Sequence, residues 1–268
     1  MPKVSLVTRL YTAIVRRMGE VVHQLRDNYY RKKNSGKPRL LVFTDSRGYE
    51  VVKPWNRKSA YASYVGKLCK EYHVEHVICP EFSTTVIDFL YEYQSRVAAG
   101  KKYDAVIAHV GVVDYSPRPV SMLNDMMAVK GHKINTLFPE REFDFKTYHA
   151  AHFAELYYGK PVKNFYSQAF LQEQVIPKLQ AIEPLIMVGC SPVLTSWHGN
   201  YWRDRPQNMD MILDYSAVCR DNLANFIDYS AWDEQTVKQN TIDNIHLSNK
   251  GFDETYSQIK TKLAKLGL

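Results

Sequence analysis

Five short apolar runs, each followed by a helical pattern, constrain this chain more than any other feature. The runs cover residues 39–44, 74–79, 105–110, 185–190 and 226–229. They are mostly apolar instead of alternating, which is the pattern of a strand covered on both faces in a parallel sheet. Helical periodicity fills the intervals at about 57–72, 84–98, 167–181 and 207–225, and a last helix runs from Ser248, a suitable N-cap, to about 265. This alternation predicts an open α/β fold with a central parallel five-stranded sheet and helices on both faces. Working residues in such sheets sit on loops leaving the carboxyl ends of the strands.

Those loops carry the unusual residues. Ser46 follows the first run; Glu81, Ser83, Thr84 and Thr85 follow the second; Gly111 to Tyr115 follow the third. Ser191 to Trp202 follow the fourth, and Asp243 with His246 come after the fifth. The stretch from about 116 to 165 is too long for a plain connection and reads as an insertion beside or over the site.

A serine hydroxyl is a weak nucleophile until a base takes its proton, and imidazole suits that task near neutral pH. The imidazole needs an acceptor on its other nitrogen to fix tautomer and orientation. Asp243 and His246, three residues apart, meet the second need, and Ser46 meets the first. The G-x-S-x-G elbow of α/β-hydrolases, which share this Ser–Asp–His order, is absent.

Four blocks together resemble the SGNH (GDSL-like) hydrolase family over roughly residues 39–268. Thr44-Asp45-Ser46-Arg47 is similar to its G-D-S block, and Gly111-Val112-Val113-Asp114 to its G-x-N-D block. Ile186-Met187-Val188-Gly189-Cys190-Ser191-Pro192 resembles the strand and Pro-containing turn that follow. Asp243-Asn244-Ile245-His246-Leu247-Ser248-Asn249-Lys250-Gly251-Phe252 is close to D-x-x-H-L-x-x-x-G, the most specific block of the set. The resemblance implies a flavodoxin-like three-layer α/β/α sandwich, a Ser46-Asp243-His246 triad, acyl-ester substrates that are often O-acetyl groups on carbohydrates, and no metal or other cofactor. Hydrolysis, transfer of the acyl group to another hydroxyl, and non-catalytic binding on a reused fold all remain open.

Departures fall on the oxyanion hole. In the family its donors are the nucleophile's N–H, a glycine N–H after the second strand, and the asparagine of the third block. Here Val113 stands at the asparagine position, Pro80-Glu81-Phe82-Ser83-Thr84-Thr85 has no glycine, and Thr44 replaces the glycine before Asp45. The N–H groups of Ser83 or Thr84, the Arg47 side chain or a residue of the 116–165 insertion are the candidate replacements. Gly111 and Asp114 mark the third block, as a tight turn and a structural hydrogen-bonding residue. The segment Ser196-Trp197-His198-Gly199-Asn200-Tyr201-Trp202-Arg203 suits stacking and hydrogen bonding to sugar rings, although its tryptophans can equally pin the loop to the core. The pairs His73/His76 and His149/His152 have metal-ligand spacing but no carboxylate or cysteine at ligand spacing beside them.

Charge sets residues 1–38 apart as an extension. Through residue 39 there are ten Lys and Arg against two acids, a net +8, which leaves 25 basic and 26 acidic residues in the body. Val4, Val7, Leu10, Tyr11, Ile14, Met18, Val21, Val22 and Leu25 recur every three to four residues, so the extension is a basic amphipathic helix. Its apolar stripe can pack on the domain, pair with a second copy or lie on an anionic membrane; a mitochondrial presequence is a further reading. No nucleic-acid module follows the Arg31-Lys32-Lys33 cluster. The arginines within residues 9–17 interrupt any secretory signal, and the four scattered cysteines in apolar surroundings suit reduced thiols, so the expected location is cytoplasmic, with peripheral membrane contact as an option.

Overall fold

The computed structural model describes residues 6–139, 156–201 and 204–268. Its centre is a parallel sheet of five strands: β1 (Arg39–Thr44), β2 (His73–Ile78), β3 (Ala105–His109), β7 (Leu185–Val188) and β8 (Asn225–Ile227). Their order is β2-β1-β3-β7-β8, the flavodoxin-like order the resemblance implies. Thr44, the last residue of β1, pairs with Ile78 on one side and His109 on the other, so three strands end level.

Alternation within the strands builds two cores. Leu41, Phe43, Val106, Ala108 and Met187 face one layer, while Leu40, Val42, Ile107, Ile186 and Val188 face the other. The first layer holds α3 (Val86–Ala98), α5 (Val120–Leu137), a helical segment α6 (168–180) and α7 (Met211–Asn222). The second holds α2 (Tyr64–Glu71) and α9 (Asn249–Lys265). Short helices α4 (Val112–Tyr115) and α8 (Glu234–Asn240) lie at the strand ends.

Several boundaries differ from expectation for local reasons. Helix α2 starts at Tyr64, not near 57, because Lys58 and Ala62 hold positive φ (57° and 62°), which no right-handed helix accommodates. Ahead of α7, Gln207–Asp210 forms a 3₁₀ turn kinked at Asn208, and β8 claims the chain from Asn225. The described part of the insertion is partly regular: α5, plus a small antiparallel sheet of β4 (Arg118–Pro119), β6 (Lys160–Lys163) and β5 (Leu156–Tyr157). Residues 140–155, with His149 and His152, lie outside the described residues.

Helix α1 (Leu6–Lys33) docks on the body through its polar face, not its apolar stripe. Gly19 allows the approach, since a Cβ there would stand 2.7 Å from the Trp55 carbonyl oxygen. Arg26 sits 5.1 Å from the Tyr61 ring centre, and Asp27 is 3.0 Å from His76 Nε2. Asn34 donates to the carbonyls of Cys69 and Tyr72. These polar contacts fix the rotation of the helix and turn the stripe outward. No described helix is long and apolar enough to cross a membrane.

Candidate active site

At the carboxyl end of β1 the chain turns at once into a 3₁₀ turn, Ser46–Gly48, capped by Asp45. The Asp45 carboxylate accepts from Arg47 N–H (2.9 Å) and binds the Arg47 guanidinium through Nε (3.0 Å) and Nη2 (2.9 Å). Arg47 Nη1 reaches across to the carbonyl of Gly189, leaving β7 (3.2 Å). This pair is almost fully buried and anchors the turn from below. Thr44 and Gly48 are a matched contact, because a Cβ at residue 48 would collide with Thr44 Oγ1. The turn leaves Ser46 partly exposed, and its N–H makes no hydrogen bond among the described residues.

Two hundred residues later the chain supplies the partner. Asp243 Oδ1 accepts the N–H groups of Ile245 (3.1 Å) and His246 (2.8 Å), closing a tight turn just ahead of α9. Ser248 caps that helix by accepting from Gly251 N–H. His246 Nδ1 lies 2.7 Å from Asp243 Oδ2, and Nε2 lies 2.9 Å from Ser46 Oγ. An ionised carboxylate only accepts, so Nδ1 carries the proton and Nε2 is left to accept from the serine hydroxyl. Burial alone would raise the Asp243 carboxyl; its hydrogen bonds and charge interaction with His246, with the Ile245 N–H, hold it below the usual value instead. Arg205 adds a hydrogen bond from Nη2 to the Asp243 carbonyl (2.6 Å) while stacking on Tyr201, 3.9 Å from the ring centre.

The other predicted site residues fall into three groups. Ser83 (φ 54°) takes the left-handed conformation that glycine favours, so the loop after β2 has a glycine-like shape without glycine. The N–H groups of Ser83 and Thr84 carry no hydrogen bond among the described residues. That loop is held by Lys130 and Lys133 of α5, which bridge Glu81 and the α3 residue Asp88. Burial alone would raise the Asp88 carboxyl, but its partners bring it down to about 2. Arg47 is different: its guanidinium is spent on Asp45 and Gly189, which corrects the expectation of an oxyanion donor.

In the third block, Gly111 needs its φ of 115° and its missing Cβ, which would strike the Tyr115 ring. Val113 is nearly buried, and its carbonyl accepts from Arg118 Nε (2.9 Å). Asp114 is fully buried below it, where it accepts Val86 N–H at the start of α3. Burial pushes this carboxyl up to about 8. An acid bound more tightly to its proton when folded costs stability as pH rises from the unfolded carboxylate range through that value. Asp114→Asn is therefore expected to flatten a decline of up to ~1.4 kcal/mol per pH unit across that window. Urea melts of both proteins at several pH values check this, and parallel slopes would refute it.

The aromatic loop is tied to the base. Asn244 (φ 74°) exchanges hydrogen bonds with both backbone groups of Leu194 and donates to the Trp197 carbonyl. Asn200 N–H donates to Ile242 O (2.8 Å), a close approach that Gly199 permits. Trp197 is half-buried, whereas His198 and Asn200 are exposed; Trp202 and Arg203 lie outside the described residues. His198 and Arg205 line a cavity of about 360 Å³, and Arg205 in turn donates to the Asp243 carbonyl. Sequence reasoning missed Arg118 and Arg205. Their signal was an Arg-Pro step on a loop at the carboxyl edge of the sheet.

Asp27, Cys69 and His76 at the α1 junction are the one described group with metal-ligand spacing. Arg26, 3.7 Å from Asp27, already supplies a cation there, and burial pushes the Cys69 thiol up to about 12, away from the thiolate a metal needs.

No profile of a known protein family matches the sequence, and no curated protein matches it. Solved structures do. A lipase/acylhydrolase from Enterococcus faecalis superposes with a TM-score of 0.50 at 14% identity, over 86% of this chain and 96% of that one. The fold is that of the SGNH hydrolases. Two further structures align with lower scores. The acetyl xylan esterase AlAXEase has a TM-score of 0.42 at 16% identity over 83% of this chain and 98% of its own. A putative lipolytic protein of the G-D-S-L family from Desulfitobacterium hafniense DCB-2 has 0.41 at 11% over 84% and 99%. Within the SGNH fold, Ser46 and the Asp243–His246 turn stand on loops at the carboxyl edge of the sheet, where this architecture places its chemistry.

Proposed function

We propose that the protein is a serine esterase or deacetylase that cleaves an O-acyl group, with a carbohydrate or glycolipid as acyl carrier. The observation that carries this reading is the unbroken chain from Asp243 through His246 to Ser46 Oγ, at 2.7 and 2.9 Å. Ser46 Oγ attacks the acyl carbonyl as His246 Nε2 takes its proton. The imidazolium then protonates the departing alkoxide, leaving an acyl-enzyme. Water, deprotonated by the same nitrogen, releases the acid and frees Ser46; an acceptor hydroxyl in its place would make the reaction an acyl transfer. Asp243 stays ionised throughout, in keeping with its lowered pKa.

The oxyanion is assigned to the Ser46 N–H, to the N–H groups at Ser83 and Thr84, and to Arg118. Arg118 is held by the carbonyl of Val113, the very position that lacks asparagine, and its Nη2 has no partner among the described residues. On this reading Arg118→Met lowers kcat by ~10²–10³ with little change in KM, and Arg118→Lys restores part of it. A loss confined to KM would make Arg118 a binding residue only. Carbohydrate as the carrier rests on the exposed His198 and Asn200 beside Trp197 and the cavity next to Arg205.

Labelling with a fluorophosphonate probe tests the whole reading. Wild type is expected to label, and Ser46→Ala and His246→Ala are expected not to. A folded wild type that resists the probe would favour a binding protein, the alternative that Val113 keeps in view. Acetylated oligosaccharides and short-chain esters then separate carbohydrate from simple carriers.

A further inference from the structure

Helix α1 presents an unusual surface. Leu10, Ile14, Met18, Val21, Val22 and Leu25 lie along its outward side, flanked by Tyr11 and Tyr29, and all eight are between 49 and 68% exposed. Contiguous apolar surface of this extent marks an interaction site. The opposite face is committed to the body through Gly19, Arg26, Asp27 and Asn34, so the stripe cannot roll inward without breaking those contacts.

We infer that α1 docks the protein on an anionic lipid bilayer, with its stripe in the headgroup region and its polar face clamped to the domain. Charge favours this occupant over a second copy. Arg31, Lys32 and Lys33 are exposed on α1 with no acid paired to them among the described residues, whereas its two acids are both engaged, Glu20 with Arg17 and Asp27 with His76. In a two-stranded coil with Tyr11, Ile14, Met18, Val21 and Leu25 along the seam, the flanking positions are Leu10, Arg17, Gln24 and Arg31 on one side and Val15, Val22 and Tyr29 on the other. No acid stands where a partner's arginine would need one. Anionic headgroups supply that charge, and a helix with an apolar stripe bordered by basic residues on one flank and at its end is a form that lies in a bilayer interface.

The direction of the helix adds to the case. Asn34 sits at the start of β2, Asp27 beside its middle, and Gly19 against Trp55, in the segment beyond the end of β1. The helix thus runs antiparallel to the strands, and Leu10 stands ~13 Å beyond Gly19. A bilayer against the stripe continues past the edge of the sheet that carries Ser46 and His246. This docking does not depend on the esterase reading.

Sedimentation of the full chain with phosphatidylcholine vesicles, with and without phosphatidylglycerol, tests it. The expected result is binding ~tenfold or more stronger to the anionic vesicles and weakened by salt. Ile14→Glu with Leu25→Glu should abolish it while leaving the circular dichroism spectrum and the melting temperature unchanged. Failure of the wild type to bind, or equal binding by the variant, overturns the inference. So does a dimer in light scattering that the same substitutions convert to monomer, which would assign the stripe to a second copy.

Discussion

Replacing His246 with alanine should cut the rate of probe labelling and of ester cleavage by ~10⁴ or more, and Ser46→Ala should do no less. On the proposed mechanism the two groups, 2.9 Å apart, share one proton, so the double variant should be no worse than either single one. Asp243→Asn should fall between them and wild type. It keeps an acceptor for the N–H groups of Ile245 and His246, but it removes the charge that opposes the imidazolium. Melting temperatures within a few degrees of wild type would show that the loss is chemical. Additive losses in the double variant, or full labelling of His246→Ala, would show that Ser46 and His246 do not work together.

The second large effect concerns stability. Arg47→Met should cost ~3–5 kcal/mol, because it leaves the Asp45 carboxylate buried with its counter-ion gone. For a chain of this size that is a fall of roughly 10 °C in melting temperature. Adding Asp45→Asn should recover part of the loss, since no uncompensated charge then remains. Labelling at Ser46 should weaken in step with the loosened turn. An Arg47→Met protein that melts like wild type yet fails to label would return Arg47 to the oxyanion hole and refute its role as an anchor.

Arg47 also shows where sequence reading reaches its limit. Its partner Asp45 is two residues away, but the second, Gly189 O, lies just past the end of β7, 142 residues on, so nothing local says which way the guanidinium points. The Asp243–His246 turn was legible because spacing, capping and hydrogen bonding are all contained in one short segment. The sheet was legible too, since apolar runs on the β1 scale fit only strands covered on both faces. The loop after β2 was not. There the requirement is a backbone conformation, and Ser83 adopts it without the glycine that would have signalled it. For α1 the periodicity gave the helix and the stripe, but the rotation was set by Gly19, Asp27 and Asn34 meeting distant residues.

The clamp on the aromatic loop carries one more consequence. Asn244, between the acid and the base, holds Leu194 and Trp197, and Ile242 holds Asn200. If the proposed carbohydrate carrier binds against this loop, the wall it meets is fastened to the segment that aims the imidazole. A guest too large for the space does not merely fit badly: pushing the wall aside drags His246 out of line with Ser46. Size discrimination in such an arrangement falls on turnover, with oversized molecules still held and reacting slowly.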